Sequence, residues 1–242
     1  MTASSARAST ARRRSLAGRV PGVAALLLAL VALVAARCPE VLAVTGQVLF
    51  GVPANAKHAA TVDILTVYAS NPTYMRMRAE GLSQSDGARG SKLFGEAQLS
   101  TNKALVRAAK AASVDVVTIP GGVTGGEDPI PDLTAQVIDL LPVYHVEGKV
   151  LTGNATNARL LAELDSAQIL AAIPECRELK GLTEAQPNYH FLRKEVQDKF
   201  ENAVRKVAHD GNYDALVERG GTTSRLGPVQ DVTRLAIAAL AP

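Results

Sequence analysis

The stretch of the chain whose residue types could do chemistry is VVTIPGGVTGGEDPIPDLTAQVIDLLP, residues 116–142. A β-branched run is followed by four glycines within six residues and then by an amphipathic helical pattern. A strand, a glycine loop and a helix N-terminus together can hold a phosphate group. That mechanism also needs a cation, and no Lys followed by Ser or Thr comes after the glycines. The stretch therefore favours a strand-to-helix connection over a nucleotide site.

Other residues with catalytic or metal-binding chemistry are scattered along the chain. The sequence contains no HxxxH or HExxH spacing, no Cys/His ligand set and no G-x-S-x-G nucleophile elbow. The four histidines are His58, His145, His190 and His209. We therefore predict that the protein is not an enzyme and has no cofactor and no metal site.

The first 43 residues have the pattern of an export signal. A basic segment at residues 11–19 precedes an uninterrupted apolar run of 14 residues at 23–36, which is shorter than the roughly 20 residues of a membrane span. We predict a signal peptide at residues 1–43 and a periplasmic or otherwise exported protein. Candidate cleavage points follow Ala36, Ala43 and Ala56, of which Ala43 is preferred. The alternative is an uncleaved anchor, and only then would the chain contact a membrane.

The leader also distorts the charge of the chain. It holds six of the 26 basic residues and one of the 23 acidic residues, which leaves 20 basic and 22 acidic residues after Ala43. A net charge of about −2 gives no electrostatic footprint for nucleic acid. Cys176 is the only cysteine after Cys38, so cleavage at Ala43 leaves no internal disulfide, and a lone thiol is typical of a small core residue.

The chain repeats itself at an interval of 99 residues. Residues 104–141 align with residues 203–240 without a gap, and 11 of these 38 positions are identical. Ordinary residue usage would give about two to four identities by chance. The match continues towards the N-terminus with small gaps, where residues 62–83 parallel residues 164–183. The repeat predicts a duplicated structural unit.

The repeat sets the predicted domain boundaries. We expect two tandem modules, at residues 58–142 and 160–242. Residues 143–159, whose Gly and Asn residues suit a connection, are the predicted linker. Each module is expected to be a small β body with a short helical hairpin and a closing helix. The predicted fold class is therefore α+β, after an N-terminal signal peptide.

Each module begins with a short apolar stretch that carries an Asp, near residues 60–66 and 160–166, which predicts a strand. A helix then runs through a proline to a Gly-Leu pair. A long helix follows, with Ser83 and Thr183 as the predicted N-caps, and Thr183 with Gln186 fits a capping box.

Both long helices carry an apolar stripe at spacings of three and four. The second stripe is Tyr189, Leu192, Val196, Phe200, Ala203 and Val207. The first stripe is built of smaller side chains, namely Leu93, Ala97, Thr101, Ala104 and Ala108. We therefore expect the first long helix to be less tightly packed than the second.

The modules end in a second common pattern. Residues 114–119 and 213–218 predict strands, a glycine pair then turns the chain, and the closing helix is expected to be capped by Asp132 or Asp231. The positions that mark the fold in both modules are Asp63, Pro72, Asp115, Gly121, Gly122, Asp132, Thr134, Asp165, Pro174, Asp214, Gly220, Gly221, Asp231 and Thr233. We expect these residues to act structurally.

Three stretches of the second module resemble a known family. They are LDSAQILAAIPE, FENAVRKVAHDGNYDALVERGG and DVTRLAIAAL. A strand with an Asp leads into a helix with a Pro, a Tyr-Asp strand follows, and the closing helix opens with Asp-x-Thr. This order resembles the OmpH-like (Skp) family of periplasmic chaperones. The first module resembles it less, because Val114 stands where the second module has Tyr213.

The resemblance implies a fold and a compartment. The family's best-known members are trimers whose long helical arms surround an unfolded outer-membrane protein. Here about 47 residues separate Asp165 from Tyr213, so a hairpin from that segment reaches only roughly 30 Å. Long arms cannot form, and Lys and Arg alternate with Glu and Asp along residues 175–206. The tandem pair is a further departure from the family's trimeric assembly.

The expected function is that of an exported, ATP-independent chaperone-like protein that binds unfolded or envelope proteins. Its partners by resemblance are unfolded or outer-membrane protein clients, with self-association as a further expectation and no nucleic acid. The alternative is a structural or scaffold protein of the cell envelope, either soluble or anchored by residues 20–36.

Overall fold

The computed structural model describes residues 42–54, 56–125 and 129–241. The predicted leader, apart from Leu42 and Ala43, lies outside these residues. The first half of the described chain forms β1 (Ala43–Val44), β2 (Val48–Gly51), β3 (Ala59–Thr61), α1 (Ile64–Ala69), α2 (Pro72–Ala79), α3 (Gly87–Ala111), β4 (Val116–Thr118), β5 (Val123–Thr124) and α4 (Thr134–Leu140).

The second half follows in the same order of elements, with one additional short strand before its closing helix. It forms β6 (Tyr144–Val146), β7 (Val150–Gly153), β8 (Leu161–Leu164), α5 (Ser166–Ala172), α6 (Pro174–Leu179), α7 (Pro187–Asp210), β9 (Ala215–Glu218), β10 (Thr222–Ser224), β11 (Gln230–Asp231) and α8 (Thr233–Ala238). Mixed helices and small sheets make this an α+β structure, as the sequence predicts.

Each half is organised around one central strand. In the first half β4 pairs antiparallel with β2 and parallel with β3, and an isolated bridge joins Thr61 of β3 to Asp132. In the second half β9 pairs antiparallel with β7 and parallel with β8, and β8 pairs parallel with β11. Two-stranded antiparallel ribbons, β1 with β5 and β6 with β10, complete the halves. The two sheets therefore share their strand order and strand directions.

Residues 143–159, which the sequence predicts to be a linker, contain β6 and β7. β6 pairs with β10 and β7 with β9, so this segment belongs to the sheets of the second half. Residues 42–57 contain β1 and β2 in the same way. The glycines that suggest a connection instead lie where paired strands approach each other closely, and the described residues from 42 to 241 belong to one compact unit.

A sequence signal for these strands exists at a different interval. VTGQVLFG at residues 44–51 and VEGKVLTG at residues 146–153 share five of eight positions, 102 residues apart. Asp63 and Asp165 lie at the same interval. β1 also begins at Ala43, which pairs with Thr124, so cleavage after Ala43 would cut through this strand.

The helix N-termini differ from the prediction by a few residues. α3 begins at Gly87 and α7 at Pro187, after short turns that contain the predicted N-caps. In these turns the Ser83 N–H donates to Asp86 Oδ2 at 2.5 Å, and the Thr183 N–H donates to Gln186 Oε1 at 2.9 Å. Half of the predicted capping box thus forms ahead of the helix, and Pro187 occupies the first helical position, where its missing N–H costs nothing.

The two halves have equivalent apolar cores. Val117, Leu133 and Val137 pack with buried residues of β3 and α3 in the first half. Leu216, Val232 and Ala236 pack with buried residues of β8 and α7 in the second. In both halves the long helix and the closing helix contact each other and share one apolar core with the central strand.

The expectation that the first long helix packs less tightly is wrong. All five residues of the α3 stripe are buried, whereas α7 buries only Val196, Ala203 and Val207 of its six. Small side chains on α3 allow α2 to approach closely. The buried Nδ2 of Asn71 then lies within 3.1 Å of Ala97 O and of the Thr101 hydroxyl. The small side chains of α3 therefore give close helix packing rather than loose packing.

Two glycines of the second half test these backbone constraints. Gly220 has a φ of +83° with open space around its Cα, so Gly220→Ala should cost about 1 kcal/mol of unfolding free energy. Gly153 has a φ of +80°, and an added Cβ would lie 2.1 Å from Asp214 O. Gly153→Ala should therefore cost about 2 kcal/mol more than Gly220→Ala. Urea unfolding of the two variants measures the difference. Equal losses of unfolding free energy would contradict the close contact between Gly153 and Asp214.

Candidate functional site

The glycine-rich stretch of the first half packs against the neighbouring ribbon. Gly121 has a φ of +77° and reverses the chain, and the Gly122 N–H donates to Ile119 O at 3.0 Å. The Gly122 carbonyl accepts from the N–H groups of Thr45 and Gly46 at 2.9 and 3.1 Å. Residues 126–128 lie outside the described residues. Because α4 begins only at Thr134, the glycines do not open a helix as a phosphate loop does.

Two aspartates that mark the fold cap the first helix of each half. Asp63 Oδ1 accepts from the N–H groups of Leu65 and Thr66 at 3.1 and 3.2 Å. Asp165 Oδ1 accepts from the Gln168 N–H at 3.0 Å. These hydrogen bonds favour the ionised carboxylates, and they lower the pKa of Asp63, with the Thr66 hydroxyl as the largest cause, and that of Asp165.

A threonine links each of these caps to the closing helix. The Asp63 N–H donates to Thr134 Oγ1 at 2.9 Å, and this hydroxyl donates to Asp132 Oδ1 at 2.5 Å. In the second half the Asp165 N–H donates to Thr233 Oγ1 at 2.9 Å, and this hydroxyl donates to Asp231 at 2.5 Å. The predicted capping aspartates thus lie one residue before the N-cap positions, because α4 and α8 begin at the threonines.

The aspartate before each central strand binds the backbone of the strand beside it. Asp115 Oδ2 accepts from the N–H groups of Lys57 and His58 at 2.9 and 3.0 Å. Asp214 Oδ2 accepts from the N–H groups of Arg159 and Leu160 at 2.7 and 2.9 Å. These backbone donors lower the pKa of both carboxyls. Each carboxylate therefore holds the entry to β3 or β8.

The remaining marker positions are also structural. Pro72 and Pro174 occupy the first positions of α2 and α6. An added Cβ at Gly221 would lie 2.4 Å from Gly148 Cα, so Gly221 allows the β6–β10 ribbon to close. The predicted marker residues are thus brought together in two equivalent sets of caps and strand contacts.

A charged cluster joins the two halves. Glu80 accepts hydrogen bonds from Arg76 and Arg89, each at 2.6 Å. Arg89 Nη2 also donates to Glu147 Oε2 in the second half at 2.8 Å. Beside it, the Thr73 hydroxyl lies 3.1 Å from His145 Nδ1. These groups pair with one another, so the cluster acts as a junction between α2–α3 and β6.

The second half contains a cleft of about 590 Å³. It lies between β7, α5, α6 and α7. Its apolar lining residues are Leu151, Leu170, Leu179, Val196, Phe200 and Val204. Its volume falls within the range of small-molecule sites. We name this feature the hairpin cleft.

Basic side chains are found in the same lining. Lys149, Arg193 and Arg205 line the hairpin cleft together with Glu201. Arg205 Nη2 donates to Glu201 Oε2 at 2.7 Å, so this pair is neutral overall. Among the described residues, neither Lys149 nor Arg193 forms an ion pair. The cleft therefore combines an apolar interior with two uncompensated positive charges.

The same location in the first half holds aromatic side chains. The rings of Tyr68 and Phe94 stack with centroids 6.0 Å apart, and Tyr74 lies 5.5 Å from Tyr68. By the alignment of the halves, Leu170, Cys176 and Arg193 stand in place of Tyr68, Tyr74 and Phe94. Replacement of the three aromatic residues is the sequence signal that could have located the cleft.

The aromatic residues otherwise divide between packing and exposure. Tyr68 and Tyr74 pack against each other, and burial raises the pKa of Tyr68. Phe191 does not pack, since 71% of its surface is exposed on α7. Cys176 is half-buried on α6 and is free.

Within the described residues, no group of three or more His, Cys, Asp or Glu side chains is arranged to hold a metal ion. No helix in the same part of the chain combines the length and the hydropathy needed to span a bilayer. The predicted anchor at residues 20–36 lies outside it.

The junction predicts a specific dependence of stability on pH. Its hydrogen bonds, chiefly with Arg89, lower the pKa of Glu80 from 4.5 to about 2. A depressed pKa means that the stabilisation is present above about pH 4.5 and is lost as the pH falls through about 2. Glu80→Gln should therefore reduce the free energy of unfolding at pH 7, and its difference from wild type should shrink below pH 4.5.

Denaturant unfolding between pH 7 and pH 2 measures this difference. Glu184→Gln is the matched control, because Glu184 is exposed and forms no ion pair with any described residue. The control should differ little from wild type at any pH. A Glu80→Gln difference that stays constant across the range would contradict the assigned role of the junction.

Comparison with known proteins gives no relative for this chain. No protein-family model matches it, and neither the curated proteins nor the solved structures contain a match.

Proposed function

We propose that the protein is an exported, non-catalytic chaperone-like protein that binds unfolded or envelope proteins without ATP. In this proposal the two halves are tandem OmpH-like modules with short helical hairpins. The export pattern of the leader, the sequence repeat and the equal strand order of the two sheets support it. The resemblance of the second half to the OmpH-like family supports unfolded or envelope proteins as the clients.

One observation carries the proposal, namely the exposed Phe191 on the second helical hairpin, which consists of α6 and α7 and also lines the apolar hairpin cleft. Phe191 is 71% exposed on α7, and the hairpin cleft begins along the same helix at Arg193. α6 buries none of its side chains, whereas the equivalent helix α2 buries Pro72, Thr73 and Met77. In this proposal Phe191 and the apolar lining of the hairpin cleft together form the client-binding surface.

The charges of the hairpin suit a weak and reversible contact. Lys199 pairs with Glu175 and lies 3.1 Å from Glu195, and Arg205 pairs with Glu201. Because opposite charges are mixed along α7, the surface attracts no single sign of charge over its length. Apolar contact would therefore dominate client binding. No nucleotide is required for such a contact, which agrees with the structural role of the glycines.

The test is suppression of aggregation. An outer-membrane protein is diluted from urea with increasing amounts of the mature protein, whose N-terminus is defined by mass, and light scattering is followed. We expect the wild-type protein to suppress aggregation at molar excess. The Phe191→Ser variant should require about threefold more protein for the same suppression. The effect is modest because complete burial of a Phe side chain contributes about 2 kcal/mol and a client would bury Phe191 only in part. Leu226→Ser is the matched control, because Leu226 is 69% exposed and belongs to the β10–β11 turn rather than to the hairpin helices.

Two results would contradict the proposal. The first is no suppression by the wild-type protein at molar excess, which would leave the fold description unaffected. The second is concentration-dependent scattering by the protein alone together with an uncleaved N-terminus, which would favour an anchored scaffold protein of the cell envelope. Equal effects of the Phe191 and Leu226 substitutions would remove the hairpin as the binding surface.

A further inference from the structure

The two halves share a scaffold, but only the first fills the space beside its hairpin with rings. There Tyr68, Tyr74 and Phe94 form an aromatic cluster. In the second half Leu170, Cys176 and Arg193 occupy the equivalent positions, and Arg193 and Leu170 line the hairpin cleft. We propose that the hairpin cleft binds one planar aromatic carboxylate. This small-ligand site goes beyond the chaperone-like function and does not depend on it.

The interior of the cleft matches the ring of such a ligand. Leu151 comes from β7, Leu170 from α5, Leu179 from α6, and Phe200 from α7, so apolar side chains reach the cleft from four elements. Phe200 stands where the first half has Thr101, which places a ring beside the cleft. Aromatic rings pack well in offset or edge-to-face arrangements. The volume of about 590 Å³ leaves room for a fused two-ring ligand.

The positive charges that line the cleft suit a carboxylate group on the ligand. Arg205 is paired with Glu201, which leaves Arg193 and Lys149 as the positive charges with no acidic partner among the described residues. A guanidinium binds a carboxylate with two parallel hydrogen bonds and also stacks on aromatic faces. Arg193 therefore suits an aromatic ring that carries a carboxylate. A neutral ring would gain the apolar contact but not the charged one.

The first half provides an internal comparison. Phe94 stands in place of Arg193, and the stacked rings of Tyr68 and Phe94 occupy the corresponding space. In that half an aromatic ring therefore replaces the cation of the hairpin cleft. The proposal accordingly specifies one ligand for each chain, bound by the second half.

The test is a fluorescence titration of the mature protein, obtained from the full chain, with 2-naphthoate. The chain contains no Trp, so the naphthalene signal can be read without interference. We expect one site per chain, and about tenfold weaker binding of 2-naphthamide, which has the same rings without the charge. Arg193→Gln should weaken naphthoate binding about tenfold and leave naphthamide binding unchanged.

Two further variants separate ligand binding from folding. Lys194→Gln is the matched control, because Lys194 is exposed on the same helix but does not line the cleft, and it should bind naphthoate like wild type. The double variant Leu170→Tyr with Arg193→Phe restores two of the residues of the first half. It should fill the cleft and abolish binding of both ligands while thermal unfolding remains cooperative.

Several outcomes would overturn the proposal. They are no saturable naphthoate binding, equal affinity for naphthoate and naphthamide, or equal losses in Arg193→Gln and Lys194→Gln. Binding that persists in a folded double variant would also overturn it. Should the double variant fail to fold, the comparison of the two single variants still decides the question.

Discussion

Pairing of the central strand in each half is the constraint on which the rest of the structure depends. β9 is buried along nearly its whole length and forms hydrogen bonds with β7 on one side and β8 on the other. Both neighbours precede it in the chain, and the helical hairpin lies between β8 and β9. The hairpin must therefore return to the sheet, and its long helix packs on the central strand. Asp214 secures this return, because it binds the backbone just before β8.

The first half obeys the same constraint with different side chains around it. β4 is fully buried, Asp115 secures the entry to β3, and α3 packs along its whole stripe. The side chains of the two hairpins can differ without changing the strand pairing, because hairpin residues that do not contact the sheet do not determine which strands pair. The first hairpin contains packed aromatic rings and a buried Asn71. The second hairpin has an open cleft and an exposed Phe191.

The junction joins the two halves within one compact unit. Glu80 and Arg89 of the first hairpin reach Glu147, which follows β6 in the second half. The equivalent position in the first half is Thr45, and Thr73 of the first hairpin corresponds to Glu175 of the second. The contact is therefore specific to the order of the halves. It involves the first hairpin and does not extend to the second.

The sequence by itself determined the fold class, the repeat and the residues that connect helices to strands. Asp63, Thr134 and Asp115 act locally or across adjacent strands, and their duplicates act identically, so their pattern is readable from the alignment of the halves. The tertiary structure decided what local patterns do not encode. Short strands such as β6 and β7 pair with strands far along the chain. Their glycines therefore resemble those of a linker in the sequence, although they lie beside paired strands in the structure.

The packing of the hairpins was decided in the same way. The small residues of α3 look like a weak stripe, yet they permit the close approach of α2, whereas the larger residues of α7 leave a cleft. The type of each side chain is written in the sequence, but the distance between two helices is set only when both pack on the same sheet.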